Sequence, residues 1–517
     1  MRKFIGLEGR NTVKIILIDP PFYRFIGYYN RYFPLGLAYL AVVLRENGHD
    51  VLIYDADCNV NPSKMDFTRL EDSYPFYLKS LKDNNHPIWQ EMKKTIRNFK
   101  PDIIGISVWT TFAASAFKIA SICKEYDRNI PVVMGGPHIT IKYDEVMNIC
   151  PDVDFLIRGE GEGPIVELVK ALNKHKEGNP FTNPDTLSIK GISYRKDGKA
   201  VHNPSGEFIK DIDTIPFPTR DLLLNKDSYT SEDMGLLMTS RGCPYNCSYC
   251  ATSIWERKTR YRSVDNVIDE IRFVMDKYGT RQFTFKDDSF TVNKKRVLEL
   301  CDRLIKEKIK VNWDCNTRVN LVDEELLKKM KKAGCNSIKV GIETGSERIL
   351  KLMNKNITLE QCRRAAKLFR KVGIHWTGYF MMGLPSETKE EIYQTLKFMK
   401  ELNPDYASLS VYEPFPGTEL FNIGIERGLV QKDRTIEDFY KISPKYYYVK
   451  DMNHRIDTMS NEEFIRLEGE IKKVFHKYNV GFLKLTKRAR SRSKLYLHEP
   501  GIFLEDLRKF RGWICNS

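Results

Sequence analysis

The apolar positions of the chain fall into two successive rhythms. Val13-Lys14-Ile15-Ile16-Leu17-Ile18 is a short, β-branched run stopped by Asp19-Pro20-Pro21. Val51-Leu52-Ile53-Tyr54, Ile103 to Val108, Pro131 to Met134 and Phe155-Leu156-Ile157 repeat it. Runs of this length and composition predict strands buried on both faces, as in a parallel sheet. Pro34 to Leu44 and Ala113 to Tyr126 carry helical spacing, and the residues between the second and third strands, up to about Lys100, read as a polar insertion. Strands alternating with helices predict a doubly wound, Rossmann-like α/β sheet, in which ligands sit over the carboxyl ends of the strands. The loops at those ends are Asp19-Pro20-Pro21-Phe22-Tyr23, Trp109-Thr110-Thr111, Gly135-Gly136-Pro137-His138 and Gly159-Glu160-Gly161-Glu162. Their glycines let backbone amides approach a ligand, but no G-x-G-x-x-G follows the first strand, so a dinucleotide is poorly supported.

From about Asn183 to Met234 the pattern is short and polar. Ile189 to Tyr194 and Ala200 to Ile209 flank Lys196-Asp197-Gly198-Lys199, which predicts a small hairpin within a linker. A second rhythm follows. Strands are predicted at Gly235 to Met238, Gln282 to Phe285, Val311 to Arg318, Ser337 to Glu343, Trp376 to Pro385 and Tyr406 to Tyr412. Helices are predicted at Val264 to Tyr278, Lys294 to Glu307, Glu324 to Ala333, Leu359 to Val372 and Lys389 to Leu402. These units suit a partial (β/α)6 barrel of the triosephosphate isomerase type, whose chemistry collects at carboxyl strand ends. Asp287, Asp288, Arg318, Glu343 and Gly383-Leu384-Pro385 stand at such ends. Beyond about Asp433 the rhythm stops, and Tyr446-Tyr447-Tyr448 with the amphipathic Asn461 to Tyr478 predict a small helical cap.

The sharpest chemical signal is Arg241-Gly242-Cys243-Pro244-Tyr245-Asn246-Cys247-Ser248-Tyr249-Cys250, a C-x3-C-x2-C triad. Three thiolates converging from one Gly/Pro-broken loop can hold three irons of a four-iron, four-sulfur cube and leave the fourth open. Disulfides would need an oxidising compartment, yet no apolar signal segment opens the chain and its eleven cysteines are an odd number. A structural zinc site would need a fourth ligand, and the His candidates are distant in sequence. The other cysteines read as packing residues, with Cys315 at a strand end the one to watch. A chain of 517 residues, 42% hydrophobic and 29% charged, without a bilayer-length apolar run, reads as cytoplasmic. The net charge of +15 is scattered apart from Lys484, Lys487, Arg488, Arg490, Arg492 and Lys494, which read as a solvated helix face. No nucleic-acid module is recognisable.

At the triad the chain resembles the radical S-adenosylmethionine (radical SAM) enzymes, whose signature is this spacing with an aromatic residue, here Tyr249, before the last cysteine. The resemblance implies a [4Fe–4S] cluster on Cys243, Cys247 and Cys250, S-adenosylmethionine on the open iron, and its cleavage to a 5′-deoxyadenosyl radical. It further implies that Asp287 or Asp288, unless they merely cap the next helix, accepts from the methionine ammonium, and that Arg318 takes the carboxylate. Glu343 would accept the ribose hydroxyls, the Gly383 turn would let backbone approach the adenine, and Tyr249 would serve through its backbone, leaving its ring replaceable.

Upstream, Pro34-Leu35-Gly36-Leu37-Ala38-Tyr39-Leu40, Gly135-Gly136-Pro137-His138 and Gly159-Glu160-Gly161-Glu162, in that order, resemble the cobalamin-binding domain of one large class of these enzymes. The implied division is a cobalamin domain at 12–182, a linker at 183–232, a radical SAM core at 233–432 and a helical region at 433–517. Implied cobalamin contacts are Pro21, Trp109, Thr110, Thr111, Gly135, Gly136, Pro137, His138, Gly159, Glu160, Gly161 and Glu162. One of Trp109 to Thr111 would lie under the corrin, and His138 would bond the nucleotide tail or else sit idle on the surface. No D-x-H-x-x-G occurs, so no protein imidazole is expected under cobalt. The implied activity is methyl transfer from S-adenosylmethionine through methylcobalamin to an unactivated carbon. The alternatives are an oxidative cyclase of the anaerobic magnesium-protoporphyrin monomethyl ester cyclase type and a non-catalytic cobalamin-binding redox sensor. A flavodoxin or ferredoxin would supply electrons. The substrate, whether peptide, lipid, tetrapyrrole or another small molecule, has no signature.

Overall fold

The buried β-branched runs pair in parallel as β1 (Lys14–Asp19), β2 (Asp50–Asp55), β3 (Ile103–Ser107), β4 (Val132–Gly135) and β5 (Phe155–Ile157). The computed structural model describes residues 12–60 except 29, 73–174, 188–441 and 456–481, and some residues between 484 and 508. Along the sheet the order is β2-β1-β3-β4-β5, so the direction of winding switches between β1 and β3, where ligands of such sheets gather. Helices Leu35–Glu46 and Ala113–Tyr126 pack where their spacing places them.

Two features of this half differ from the pattern. The insertion before β3 is not simply polar: it holds helices Tyr74–Lys82 and Pro87–Phe99. Ile88, Trp89, Met92 and Ile96 recur at helical spacing on the second, and all are buried. The hairpin does form, as β6 (Ile192–Lys196) and β7 (Lys199–His202), with Asp197 and Gly198 both at positive φ as a tight primed turn needs. It is not a free linker, however. β6 pairs antiparallel with β5, Phe155 opposite Tyr194, and extends the first sheet to seven strands.

The second half begins with β8 (Leu236–Leu237). Next, β9 (Ser240–Arg241) and β10 (Arg260–Tyr261) form a separate two-stranded ribbon. Then β11 (Gln282–Phe285), β12 (Asn312–Thr317), β13 (Cys335–Glu343), β14 (His375–Met382) and β15 (Tyr406–Val411) follow, each reached through a helix. These strands are parallel and ordered β15-β14-β13-β12-β11-β8, with β8 and β15 unpaired at the two ends, which is an open six-stranded barrel. Strand alternation sorts its residues. Trp313, Cys315, Ile338, Val340 and Trp376 are buried in one apolar core with residues of the surrounding helices, while Asn316, Lys339 and Gly341 line an internal cavity. Cys315 therefore faces the core and not the chemistry.

The C-terminal segment does two things. Phe464, Leu467, Ile471 and Phe475 of helix Asn461–Asn479 bury against the barrel, and the Asn479 amide pairs with both backbone groups of Ala407 on the edge strand β15. Phe421, Leu429, Val430 and Phe439, by contrast, join the core of the first sheet, so the chain returns there before residue 441. The basic residues Lys484, Lys487 and Arg492 are engaged, with Asn403, Asp405 and Glu232 respectively, and are not a merely solvated face. Arg488, Arg490, Lys494 and Tyr446 to Tyr448 lie outside the described residues. No described helix is long and apolar enough to cross a membrane.

Candidate functional site

The cysteine loop is held from both ends. At its base β9 and β10 zip together, and Gly242 takes φ 92° where a Cβ would come within 2.1 Å of the Lys258 carbonyl, so a side chain there would force the ribbon apart. At its tip the Ser248 amide donates to Met353 O (2.9 Å), Ser248 Oγ donates to Leu352 O (2.7 Å), and Asn354 Nδ2 donates to Asn246 O (2.7 Å). These partners follow β13, so the loop is fixed against the barrel mouth.

Cys243, Cys247 and Cys250 line one cavity of about 330 Å³ at the carboxyl ends of the barrel strands. Burial pushes the Cys243 and Cys250 thiols up, a bias that ligation to iron reverses. Among the described residues no trio of Cys, His, Asp or Glu converges as a single metal ion requires. The donor set of three thiols around a ligand-sized space fits a polynuclear cluster.

The same cavity gathers Asp288, Arg318 and Glu343, and the structure gives each a distinct setting. Arg318 lies over the Tyr245 ring (3.9 Å to the centroid), donates to the Lys355 carbonyl and reaches Cys247 Sγ at 3.4 Å. Glu343 sits at a bulge in β13 with φ 67°, and its Oε1 accepts from Lys355 Nζ (2.6 Å) and Tyr249 Oη (2.9 Å). Gly341 makes room for this pair: a Cβ there would fall 2.1 Å from Glu343 Oε1 and 2.7 Å from Lys355 Nζ. The Tyr249 hydroxyl is thus hydrogen-bonded to both members of this pair. Burial, then the Asp287 charge, pushes the Asp288 carboxyl up to about 6.

Asp287 does not match its expectation. Its carboxylate accepts from the Thr239 amide (2.7 Å), Thr239 Oγ1 (2.6 Å) and Ser240 Oγ (2.7 Å), which ties down the entry to the cysteine loop and leaves little for an ammonium. Gly383 follows β14, where its amide donates to Glu387 Oε2 (2.6 Å).

In the first domain, Glu160 and Glu162 also depart from their expectation. Glu160 pairs with Arg241 (2.7 Å) and Arg260 (2.7 Å), and Glu162 with Arg241, so both carboxylates are occupied by the ribbon under the cysteine loop. They act as a tether between the halves. Gly161 packs on Leu40, Gly135 ends β4 against Ile157, and Gly159 lies in open space beyond β5. Pro21 is buried, its carbonyl accepting from Ser115. Beyond β3, the Trp109 ring is 53% exposed, with Thr110 and Thr111 partly so, an apolar face suited to a planar ring. Gly136 caps the helix that starts at Pro137, and His138 is buried rather than at the surface. Burial, then Lys142 and Arg434, pushes its imidazole down to about 3, keeping it neutral. Its Nδ1 faces Thr110 Oγ1 at 3.2 Å, while Nε2 is buried without a partner among the described residues, the kind of atom that a bound polar group satisfies.

Comparison with known proteins decides the family. The radical SAM superfamily model matches residues 237–399 and the B12 binding domain model matches residues 26–169. An uncharacterised methyltransferase of Pyrococcus horikoshii is 37% identical over 83% of this chain and 88% of its own length. The chain belongs to the radical SAM superfamily.

As a radical SAM enzyme with a B12-binding domain it uses a [4Fe–4S] cluster, S-adenosylmethionine and cobalamin. The anaerobic magnesium-protoporphyrin IX monomethyl ester cyclase of Rubrivivax gelatinosus is 32% identical over 75% of this chain and 65% of that protein. The fold is that of the radical S-adenosylmethionine methyltransferase TsrM of Kitasatospora setae, with TM-score 0.62 at 17% identity, covering 82% of this chain and 80% of that one. Sequence reasoning missed the Lys355 and Tyr249 ring contacts in this cavity and the Arg241 junction beside it. Arg241 borders the triad, which was a usable signal. Lys355 sits in no pattern that marks it.

Proposed function

We propose that this radical SAM enzyme is a methyltransferase that moves a methyl group from S-adenosylmethionine, by way of cobalamin, to an unactivated carbon of a small molecule. The observation that carries it is the tether. Arg241, two residues before Cys243, is held by Glu160 and Glu162 at the carboxyl end of β5, so the triad and the B12-binding strand ends share one rigid junction. When bound, the cluster with S-adenosylmethionine supplies a hydrogen-abstracting radical, and cobalamin supplies a transferable methyl.

The residues do the positioning. Cys243, Cys247 and Cys250 hold the cluster, and Arg318, pinned beside Cys247, faces the methionine carboxylate. Asp288, with its carboxylate free of Asp287's bonds, accepts from the ammonium. Glu343, its position set by Lys355 and Tyr249, takes the ribose hydroxyls, and the Gly383 turn meets the adenine. Trp109, Thr110 and Thr111 would hold the corrin through their exposed face, while the loops of Gly135, Gly136, Pro137, His138 and Gly159 would receive its nucleotide tail. A flavodoxin or ferredoxin delivers the electron.

The methyltransferase relative of 37% identity favours this reading, and the cyclase relative of 32% identity favours the second, oxidative ring closure on the same cofactors. Anaerobic incubation with S-adenosylmethionine, cobalamin, a reductant and candidate small-molecule substrates, each followed for a mass gain of one methylene, tests both. Methyl transfer gives S-adenosylhomocysteine that depends on cobalamin, together with 5′-deoxyadenosine. Release of 5′-deoxyadenosine alone would favour the cyclase.

A further inference from the structure

Lys286 follows β11 and lines the cavity that holds the triad, yet nothing in the reading above uses it. Its surroundings are unusual for a lysine. Its Nζ lies 4.3 Å from the ring centroid of Tyr32, a residue of the first domain, so the ammonium stands where the two halves meet. The nearby carboxylate, Asp314, already accepts from Lys339 Nζ (2.6 Å) and Thr284 Oγ1 (2.9 Å). Asp314 is thus already bonded to another lysine and is shared between Lys339 and Lys286. A partly desolvated ammonium over an aromatic face, with three donors and, among the described residues, no ion pair with an acid, is built to take an anion.

We propose that Lys286, with Tyr32 beside it, recognises an anionic oxyacid group, a carboxylate or a phosphate ester, on the substrate. The proposal rests on the radical SAM reading of the cavity and goes beyond it by naming the substrate's class. The group is not the methionine carboxylate of S-adenosylmethionine. Arg318 stands at Cys247 Sγ (3.4 Å), whereas Lys286 stands over the ring of Tyr32, at the boundary with the first domain. Holding a substrate anion at Lys286 leaves its carbon chain to extend along the barrel interior past Tyr379 toward the triad, all of which line the same space.

The test labels the amine. Burial and the Lys339 charge push Lys286 down to about 8, so an acetylating N-hydroxysuccinimide ester at pH 7 should modify it ahead of surface lysines. Inorganic phosphate, acetate and S-adenosylmethionine are then added separately to the full, reconstituted chain. Saturable protection of Lys286 by phosphate or acetate is expected, by about tenfold, the change that a one-unit rise in pKa produces below the pKa. Which of the two protects better separates phosphate ester from carboxylate. In parallel, K286M should keep the change that S-adenosylmethionine makes in the cluster's electron paramagnetic resonance spectrum, and K286R should keep the anion effect on stability that K286M loses. Labelling indifferent to both anions overturns the proposal, as does loss of the S-adenosylmethionine response in K286M. If the wild-type cluster itself ignores S-adenosylmethionine, the radical SAM reading fails, while the labelling arm still decides the anion site.

Discussion

Replacing Glu160 by glutamine tests whether the two halves are one mechanical unit. The Glu160 side chain is 3% exposed and touches Arg241 and Arg260, while the Ile209 amide also donates to it (2.7 Å). Burial alone would push this carboxyl up, but Arg260 and Arg241 outweigh it and hold it below the usual carboxylate range. With Glu160 and Glu162 against Arg241 and Arg260 the junction is neutral; E160Q leaves a net positive charge in a dry site. Each close contact is worth about 4 kcal/mol gross at the effective dielectric of such sites, and desolvation offsets much of it. Removing one partner of a buried pair costs about 3–5 kcal/mol. E162Q breaks one contact and leaves Arg241 paired, so it should cost clearly less. Lys190–Glu207, 60% and 74% exposed, is the control: E207Q should leave the unfolding transition essentially where it is, because water already screens that pair. Urea unfolding followed by intrinsic fluorescence, together with iron content, is the assay. E160Q is expected to split the transition into two and to lower iron retention. A single transition shifted no more than that of E207Q would refute the tether.

Other consequences follow from the same geometry. Gly341→Ala puts a Cβ into the Glu343–Lys355 pair, so S-adenosylmethionine binding by calorimetry should weaken at least about tenfold with iron content unchanged. Trp313→Ala, which empties a fully buried site and frees the Ala333 carbonyl, should cost about 3–5 kcal/mol in urea. Glu387 is buried, and burial outweighs the Leu384 and Gly383 amides to push its carboxyl up to about 8. Because the folded chain holds this proton and the unfolded chain releases it near its ordinary range, stability should fall as pH rises from about 4.5 to 8 and then level off. E387Q should lack that slope, by a few kcal/mol across the window, in thermal melts at stepped pH.

The sequence made the sheets legible because buried parallel strands are written as continuous apolar runs, and helices Val264–Tyr278 and Leu359–Val372 carried clear spacing and caps. The triad was legible because its spacing is local. What stayed hidden depended on distance in the chain. Asp287 resembled a ligand because its strand-end position is visible in sequence, whereas its bonds to Thr239 and Ser240 are made 48 and 47 residues away. Glu160 and Glu162 resembled cofactor contacts for the same reason, their arginines lying about 80 residues or more downstream. Helix Pro87–Phe99 was missed although Ile88, Trp89, Met92 and Ile96 spelled it, because charged residues between them diluted the run.

The most direct measurement is anaerobic Mössbauer spectroscopy of the reconstituted chain with and without S-adenosylmethionine. Four irons per chain in one cubane, with a single iron site altered by S-adenosylmethionine and the iron lost in Cys247→Ala, is the predicted result. Iron absent after reconstitution, or a cubane whose four sites all ignore S-adenosylmethionine, would contradict the account.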